Sequence, residues 1–429
     1  MLLRFGVENH LSIKKRQELS FAASPLKDNE DGLIRCPDVS GGAVLPAAIV
    51  YGANASGKTN FLNALRAMRR MVSWSQIKGT PGGGIPPRHE FRLDPAWSGK
   101  PSCFDIDFVL DGVRYHYGFE ASDEAFVSEW LYEIPKAHRR KLYERDGDRF
   151  DFGRHLQGRN RNVAELTRPN SLFLSAAAQL GHPQLSGIYG YFRDMAFMFS
   201  PTVNSNAASS IFANADEAIR KRVIRFLRAI DTGVVGYERS ESEISEKDLE
   251  MQREIWALVQ RYSGNLDEDP PKSLNETNEV KIELTHRGSG GKSIPLGLEL
   301  ESAGTIRLLP LLVRACRALD RGRPFIVDEL DVSLHTRAAE ALVRLFSGKE
   351  NRNGAQLVAT VHDTNILHSD ALRRDQVWLV EKGTGGATEI YPLTDIRTRK
   401  GDNLELGYLQ GRYGAIPMND PLEAILGDL

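Results

Sequence analysis

Cysteine is scarce: three in 429 residues, at Cys36, Cys103 and Cys316. They are scattered without metal-ligand spacing and too few for a disulfide framework, a usage that suits a reducing cytosol. Long hydrophobic runs are missing too. No apolar stretch reaches the ~18 residues that a membrane-spanning helix needs. The opening MLLRFGVENH has neither the apolar core nor the small-residue cleavage site of a signal peptide. Nor is either sign of charge in excess: 55 Lys and Arg against 57 Asp and Glu give a formal net charge of −2. No whole-molecule field draws the chain to nucleic acid, so any such contact has to be local. With 41% hydrophobic and 26% charged residues, a soluble cytoplasmic globular protein is expected. Its length allows two or three domains, or one elaborated α/β core.

What is present falls into blocks. LLRFGVENHLSI (2–13) reads as an edge strand entering a turn. VLPAAIVYG (44–52) looks like a buried strand, GANASGKT (52–59) follows, and NFLNALRAMRRMV (60–72) has helical periodicity. Pro and Gly make 81–90 a connector. From 102 to 152 the apolar positions alternate, with Asp111-Gly112 and Asp146-Gly147 as hairpin turns, which predicts an antiparallel sheet. SLFLSAAAQLG (171–181) reads as a core strand running into a loop or helix. Two charged amphipathic segments, 215–231 and 245–264, and a polar linker to 278 make 182–278 a mainly helical insertion. Apolar strands and helices alternate again from 279 to the end. The expected organisation is therefore an N-terminal lobe (1–181) carrying the antiparallel β subdomain, the insertion (182–278) and a C-terminal lobe (279–429).

Gly52-Ala53-Asn54-Ala55-Ser56-Gly57-Lys58-Thr59 fits G-x-x-x-x-G-K-[ST] completely, with a strand before it and a helix after. Gly52 and Gly57 let the backbone curl so that its N–H groups form an anion nest at a helix N-terminus. Lys58 can reach the β- and γ-phosphates of ATP, and Thr59 can offer its hydroxyl to Mg²⁺. Asn54, Ser56 and Asn60 complete the expected nucleotide contacts.

The segment PFIVDELDVSLH (324–335) brings an apolar strand directly onto Asp328 and Glu329. Adjacent acids at a buried strand end are costly unless something cationic or polar meets them. Metal and nucleotide would do so: Asp328 holding the Mg²⁺ shell, Glu329 accepting a proton from the attacking water. A strand running into a solvated turn is the plainer reading of these two acids taken alone.

About 270 residues separate Lys58 from Asp328, far more than a minimal phosphate-loop domain requires. In this the chain resembles the ABC ATPases of the SMC and DNA-repair type, whose head is interrupted by an insertion. The resemblance implies an α/β P-loop NTPase of ABC/SMC head type that closes head to head around two ATPs. It casts Glu301-Ser302-Ala303-Gly304 as a shortened signature, Ser302 and Gly304 meeting the γ-phosphate of the partner's ATP. An N-cap on a core helix is a coexisting reading of Ser302. Asp331 and Ser333 in DVSLH resemble the loop that crosses the dimer interface, and His362 after LVATV resembles the γ-phosphate switch. A structural histidine at a strand end is the alternative there. Gln179 resembles the glutamine that touches Mg²⁺ or water, with an exposed helical glutamine as the other possibility. Asn9-His10-Leu11-Ser12-Ile13 resembles the first turn of such heads.

Residues 135–161 hold nine Lys or Arg against four Asp or Glu, densest at Arg139, Arg140 and Lys141. A second cluster comprises Arg220, Lys221, Arg222, Arg225 and Arg228. These are either a track for nucleic acid or salt-bridged surface. The tail 373–417 narrows the resemblance to compact stand-alone SMC-like ATPases of bacterial anti-phage systems, the RloA-type proteins and, more distantly, AriA of PARIS and the ATPase half of OLD nucleases. That resemblance implies a homodimer or higher homo-oligomer and a separate effector, such as a TOPRIM-type nuclease, for which residues 375–429 are too few. An SMC-like DNA-repair or DNA-maintenance ATPase is the competing function; a phosphate-loop kinase and a purely structural nucleotide-binding protein are further ones.

Overall fold

The computed structural model describes residues 1–26, 28–37, 39, 41–84, 88–135, 138–199, 203–243, 250–251, 253–254, 278–368, 372–399 and 401–416. The amphipathic segment expected over 245–264 and the linker after it fall almost wholly outside these. The chain divides into two compact units. The first comprises Met1–Phe199, Ala318–Asp331 and Ala339–Leu429; the second comprises Ser200–Arg317 and Val332–Ala338.

The first unit is α/β and contains two large sheets. Five parallel strands run in the order Ala196–Met198, Pro324–Val327, Gln356–Thr360, Ala47–Gly52 and Val377–Lys382, and Thr388–Pro392 closes the edge antiparallel. Ala47–Gly52 is buried at all six positions, as its uninterrupted apolar run requires of a strand covered on both faces. The second sheet is antiparallel and seven-stranded. From one edge it runs Arg149–Phe152, Arg140–Asp146, Phe126–Glu133, Val113–Ala121, Ser102–Leu110, Leu2–Glu8 and Gln17–Ser20. The expected hairpin at Asp111-Gly112 is there, both residues having positive φ (50° and 76°), the backbone a two-residue turn needs.

Two expectations are corrected. Leu2–Glu8 is an interior strand, paired with Gln17–Ser20 on one side and Ser102–Leu110 on the other. Its second neighbour lies a hundred residues downstream, where no local pattern reports it. The 171–181 segment is a helix, Phe173–Gln179. Its short apolar run is ambiguous by periodicity, and its helical start is fixed by Glu129. That fully buried carboxylate accepts from the Phe173 and Leu174 N–H groups (2.6 and 3.1 Å) and from the Tyr117 and Tyr143 hydroxyls. Burial raises the Glu129 pKa, while these donors satisfy the carboxyl.

Helix Lys58–Lys78 buries Phe61, Leu62, Leu65, Met68, Met71 and Val72, the i, i+3, i+4 spacing of one helical face. These side chains belong to a core shared with both sheets, and Phe61 meets Phe5 edge to face at 5.6 Å. Each large apolar side chain buried here stabilises by about 1.5–3 kcal/mol relative to exposure. The buried Gln356 side chain donates to Leu2 O (2.8 Å) and Leu45 O (3.1 Å), tying the first strand to the parallel sheet. Tyr408 and Tyr413 of the tail are packed inside, Tyr408 against Tyr51.

In the second unit, helices Ser205–Ala213 and Glu217–Ala229 pack on a three-stranded antiparallel sheet, Val234–Glu243, Asn278–Arg287 and Ser293–Gly297. Arg220 of the second basic cluster turns inward, donating to Tyr237 Oη (3.0 Å) and Ala213 O (2.9 Å), and Lys221 pairs with Glu217.

Candidate nucleotide site

The strand Ala47–Gly52 ends where the loop begins, and the loop hands the chain to helix Lys58–Lys78. Gly57, the helix N-cap, has φ +108°, and a Cβ there would collide with the Thr388 hydroxyl. Only glycine accepts both conditions. Thr388 Oγ1 donates to Ser56 O (2.8 Å) and accepts from Ser12 Oγ (2.7 Å), which in turn accepts from Asn60 Nδ2 (2.8 Å). The loop is thus clamped by a threonine from the last strand of its sheet and a serine from the N-terminal turn. Asn60, expected to contact nucleotide, is anchored in this clamp.

Residues 54–60, Asp328, Glu329, His362 and Lys382 line one cavity of ≈ 260 Å³. Lys58 is buried, and its ammonium donates to Gly52 O (2.7 Å) and Ala53 O (3.0 Å). Burial lowers its pKa, and the carboxylates of Asp328, Glu329 and Asp331 oppose that shift. The Ser56 hydroxyl is buried without a hydrogen-bond partner among the described residues. A buried polar atom left this way beside an anion nest fits a phosphate oxygen.

Asp328 is held from behind. The buried Thr360 hydroxyl donates to Asp328 Oδ1 (2.7 Å) and accepts from the Glu329 N–H (2.6 Å). Glu329 sits at φ +53°, a left-handed backbone costing about 1–2 kcal/mol for a residue with a side chain. Its carboxylate lies 3.9 Å from His362 Nε2. Asp331 Oδ2 accepts from the His362 and Asp363 N–H groups (2.8 and 2.5 Å), and Asp363 in turn accepts from Asn365. Asp331 therefore fixes the histidine loop within its own chain. Among the described residues no group of three or more His, Cys, Asp or Glu could cage a metal ion. Thr59 and Asp328 in one cavity fit Mg²⁺ instead, which takes one or two protein oxygens and completes its shell with phosphates and water.

Gln179 is not among the lining residues. It is exposed at the end of helix Phe173–Gln179, whose first five residues are buried, so the strand-end glutamine expected there is replaced by a helical one. Ser302 and Gly304 belong to the second unit. Ser302 Oγ accepts from the Thr305 N–H (3.1 Å), the N-cap of helix Ala303–Arg321, and is exposed. Glu301 beside it is bonded to His286 (2.6 Å). Gly304 faces the Ser333 carbonyl, which a Cβ would strike, and the buried Arg307 donates to Val332 O. The ESAG turn and the DVS loop are thereby interlocked. Three contributors had no sequence signal: Thr360 inside an apolar run, Thr388 and Lys382.

The family profile described as "AAA domain, putative AbiEii toxin, Type IV TA system" matches residues 47–368, from the strand before the phosphate loop to just beyond His362. The chain belongs to this AAA-domain family. The match encloses every lining residue of the cavity except Lys382. Similar solved structures include the SMC head domain from Thermotoga maritima, with 15% identity, TM-score 0.40, and coverage of 91% of this chain and 98% of that one. An SmcHead bound to the C-winged helix domain of ScpA has 13% identity, TM-score 0.42, and coverage of 92% and 99%. The Pyrococcus furiosus Smc head with an extended coiled coil, bound to the C-terminal domain of ScpA, has 12% identity, TM-score 0.38, and coverage of 92% and 97%. No curated protein matches. No helix of the described residues is long and apolar enough to cross a membrane.

Proposed function

We propose that this AAA-domain protein hydrolyses ATP in a Mg²⁺-dependent reaction, two copies closing head to head around the nucleotide. The observation that carries the reading is the convergence of the phosphate loop, Asp328, Glu329 and His362 on one cavity. Lys58 exchanges its two loop carbonyls for phosphate oxygens, and Ser56 and the loop N–H groups complete the cradle. Thr59 and Asp328 hold Mg²⁺, which when bound neutralises phosphate charge. Glu329 takes the proton of the attacking water, and His362, 3.9 Å from it, contacts the γ-phosphate. Ser302, exposed on a helix N-terminus, suits a phosphate of the opposite copy's ATP. The closing cycle gates a separate effector in a toxin–antitoxin or anti-phage system of the RloA type. The family's description supports the toxin–antitoxin setting.

Glu329→Gln tests the reading. A general base contributes about 10²–10⁴-fold, so the variant is expected to bind ATP, lose about a hundredfold or more in turnover and accumulate as a dimer by light scattering. Turnover at the wild-type rate removes the role of Glu329; a variant that stays monomeric with ATP removes head-to-head closure.

A further inference from the structure

The basic stretch around 139–141 is not used by the nucleotide site. The structure separates its members. Arg140 pairs with Glu133 (3.6 Å), and Lys141 pairs with Glu144 and Asp151. Arg139 has no carboxylate partner among the described residues. Its guanidinium lies 3.6 Å over the Tyr132 ring, at the wall of a recess of ≈ 580 Å³ formed by the antiparallel sheet. This recess has more than twice the volume of the phosphate-loop cavity and shares no residue with it.

Its walls are aromatic and fixed. Trp130 Nε1–H donates to His116 Nε2 (3.0 Å), and His116 Nδ1–H donates to Asp107 (2.5 Å), which sets a neutral tautomer and holds the indole in place. His116 also stacks on Tyr132 at 6.1 Å, and Phe150, opposite Arg145 in the ladder, turns to the other face of the sheet against Phe173. Arg149, exposed at the rim, has no carboxylate partner among the described residues either. Three of the four lining carboxylates are engaged: Glu129 by two tyrosines and two N–H groups, Glu144 by Tyr132 and Lys141, Asp151 by Lys141. Asp146 remains as an acceptor.

We propose that this recess binds an unpaired nucleotide, its base against the ring wall made by Trp130 and the Arg139-covered Tyr132 and its phosphate on Arg149 and the outer edge of Arg139. Pre-set aromatic faces stack any base, and guanidinium groups not already paired with carboxylates take phosphate oxygens. Asp146 can accept from an exocyclic amino group, which favours an amino-bearing base. A peptide carboxylate would use the two arginines but leave the ring wall unexplained. The nucleotide is either free or the end of a single strand.

The test uses the full chain with saturating MgADP, so that the phosphate loop is occupied, and 5′-phosphorylated, 3′-fluorescein-labelled (dA)6 read by anisotropy. The wild type is expected to bind, and the exposed-site double variant Arg139→Glu/Arg149→Glu to lose about tenfold or more, with ATP turnover unchanged as the folding control. The single variant Arg149→Glu is expected to fall between. Displacement of the probe by dAMP identifies a free nucleotide as sufficient; displacement by unlabelled strand alone identifies the strand end. No binding by the wild type, or equal binding by the double variant, overturns the proposal.

Discussion

Thr360 offers the sharpest test of how the two acids are positioned. Its buried hydroxyl bridges the Asp328 carboxylate (2.7 Å) and the Glu329 N–H (2.6 Å). Thr360→Val keeps the shape and removes the hydroxyl. The lost hydrogen bond to a charged group is worth about 1.5–3 kcal/mol, and the Glu329 N–H left behind adds a penalty of similar kind. Together they destabilise the fold by about 2–4 kcal/mol. The left-handed backbone at Glu329 also loses one of the bonds that hold it, so the carboxylate is free to shift. A misplacement near 1 Å costs on the order of a hundredfold in rate. Phosphate release should therefore fall by ~10–100-fold and the Mg²⁺ requirement rise, while ATP binding, carried by the loop, changes little. Thr360→Ser restores the hydroxyl and should restore kcat. A folded Thr360→Val with wild-type turnover and Mg²⁺ dependence would refute the bridge. A serine variant as slow as the valine one would show that the methyl group, not the hydroxyl, matters.

Other outcomes follow from the same geometry. Gly57→Ala, forced to φ +108° against Thr388, is expected to lose about tenfold or more in nucleotide affinity by calorimetry; unchanged affinity would mean the clamp yields freely. Lys382→Ala removes an exposed cation from the rim of the cavity, so KM for ATP should rise about three- to tenfold with kcat kept; an unchanged KM would place that ammonium outside the site. Burial, with His89 and Arg88 adding to it, lowers the His10 pKa from 6.5 to about 3. The unfolded chain then takes up the proton first, so stability is lost as pH falls below about 6.5, by about 2 kcal/mol between pH 7 and 5. His10→Phe should flatten that part of the melting-temperature profile, and an unaltered slope would assign the acid sensitivity to other groups.

The parts of the fold that were legible are those written locally. The glycine loop between an apolar run and a helical pattern, and the period-two stretch from 102 to 152 with its Asp-Gly turn, each carry their own geometry in adjacent residues. The failures have long-range causes. Leu2–Glu8 is interior because Ser102–Leu110 pairs with it. Phe173–Gln179 is a helix in which alanines favour that state and Glu129, forty-four residues earlier, caps the first turn. The basic stretch could not be sorted from composition, because Lys141 and Arg139 differ only in whether a neighbouring strand supplies a carboxylate.

The same division runs through the site. Lys58, Asp328 and Glu329 announce themselves because a glycine loop opening a helix and paired acids just past a strand end form a pattern that phosphate and metal chemistry would use. Thr360 and Thr388 do not, since each acts through hydrogen bonds to residues far along the chain, 31 and 332 positions away. Yet they determine what the visible residues can do. A left-handed Glu329, a desolvated Lys58 and two neighbouring acids are each unfavourable alone. They stand together because the loop is clamped from the final strand and the acids are bridged from the strand beside them. Nucleotide affinity and turnover should accordingly respond to changes in Thr388–Pro392 and Gln356–Thr360 that never touch ATP, through the shape of the loop in the first case and the aim of Asp328 and Glu329 in the second.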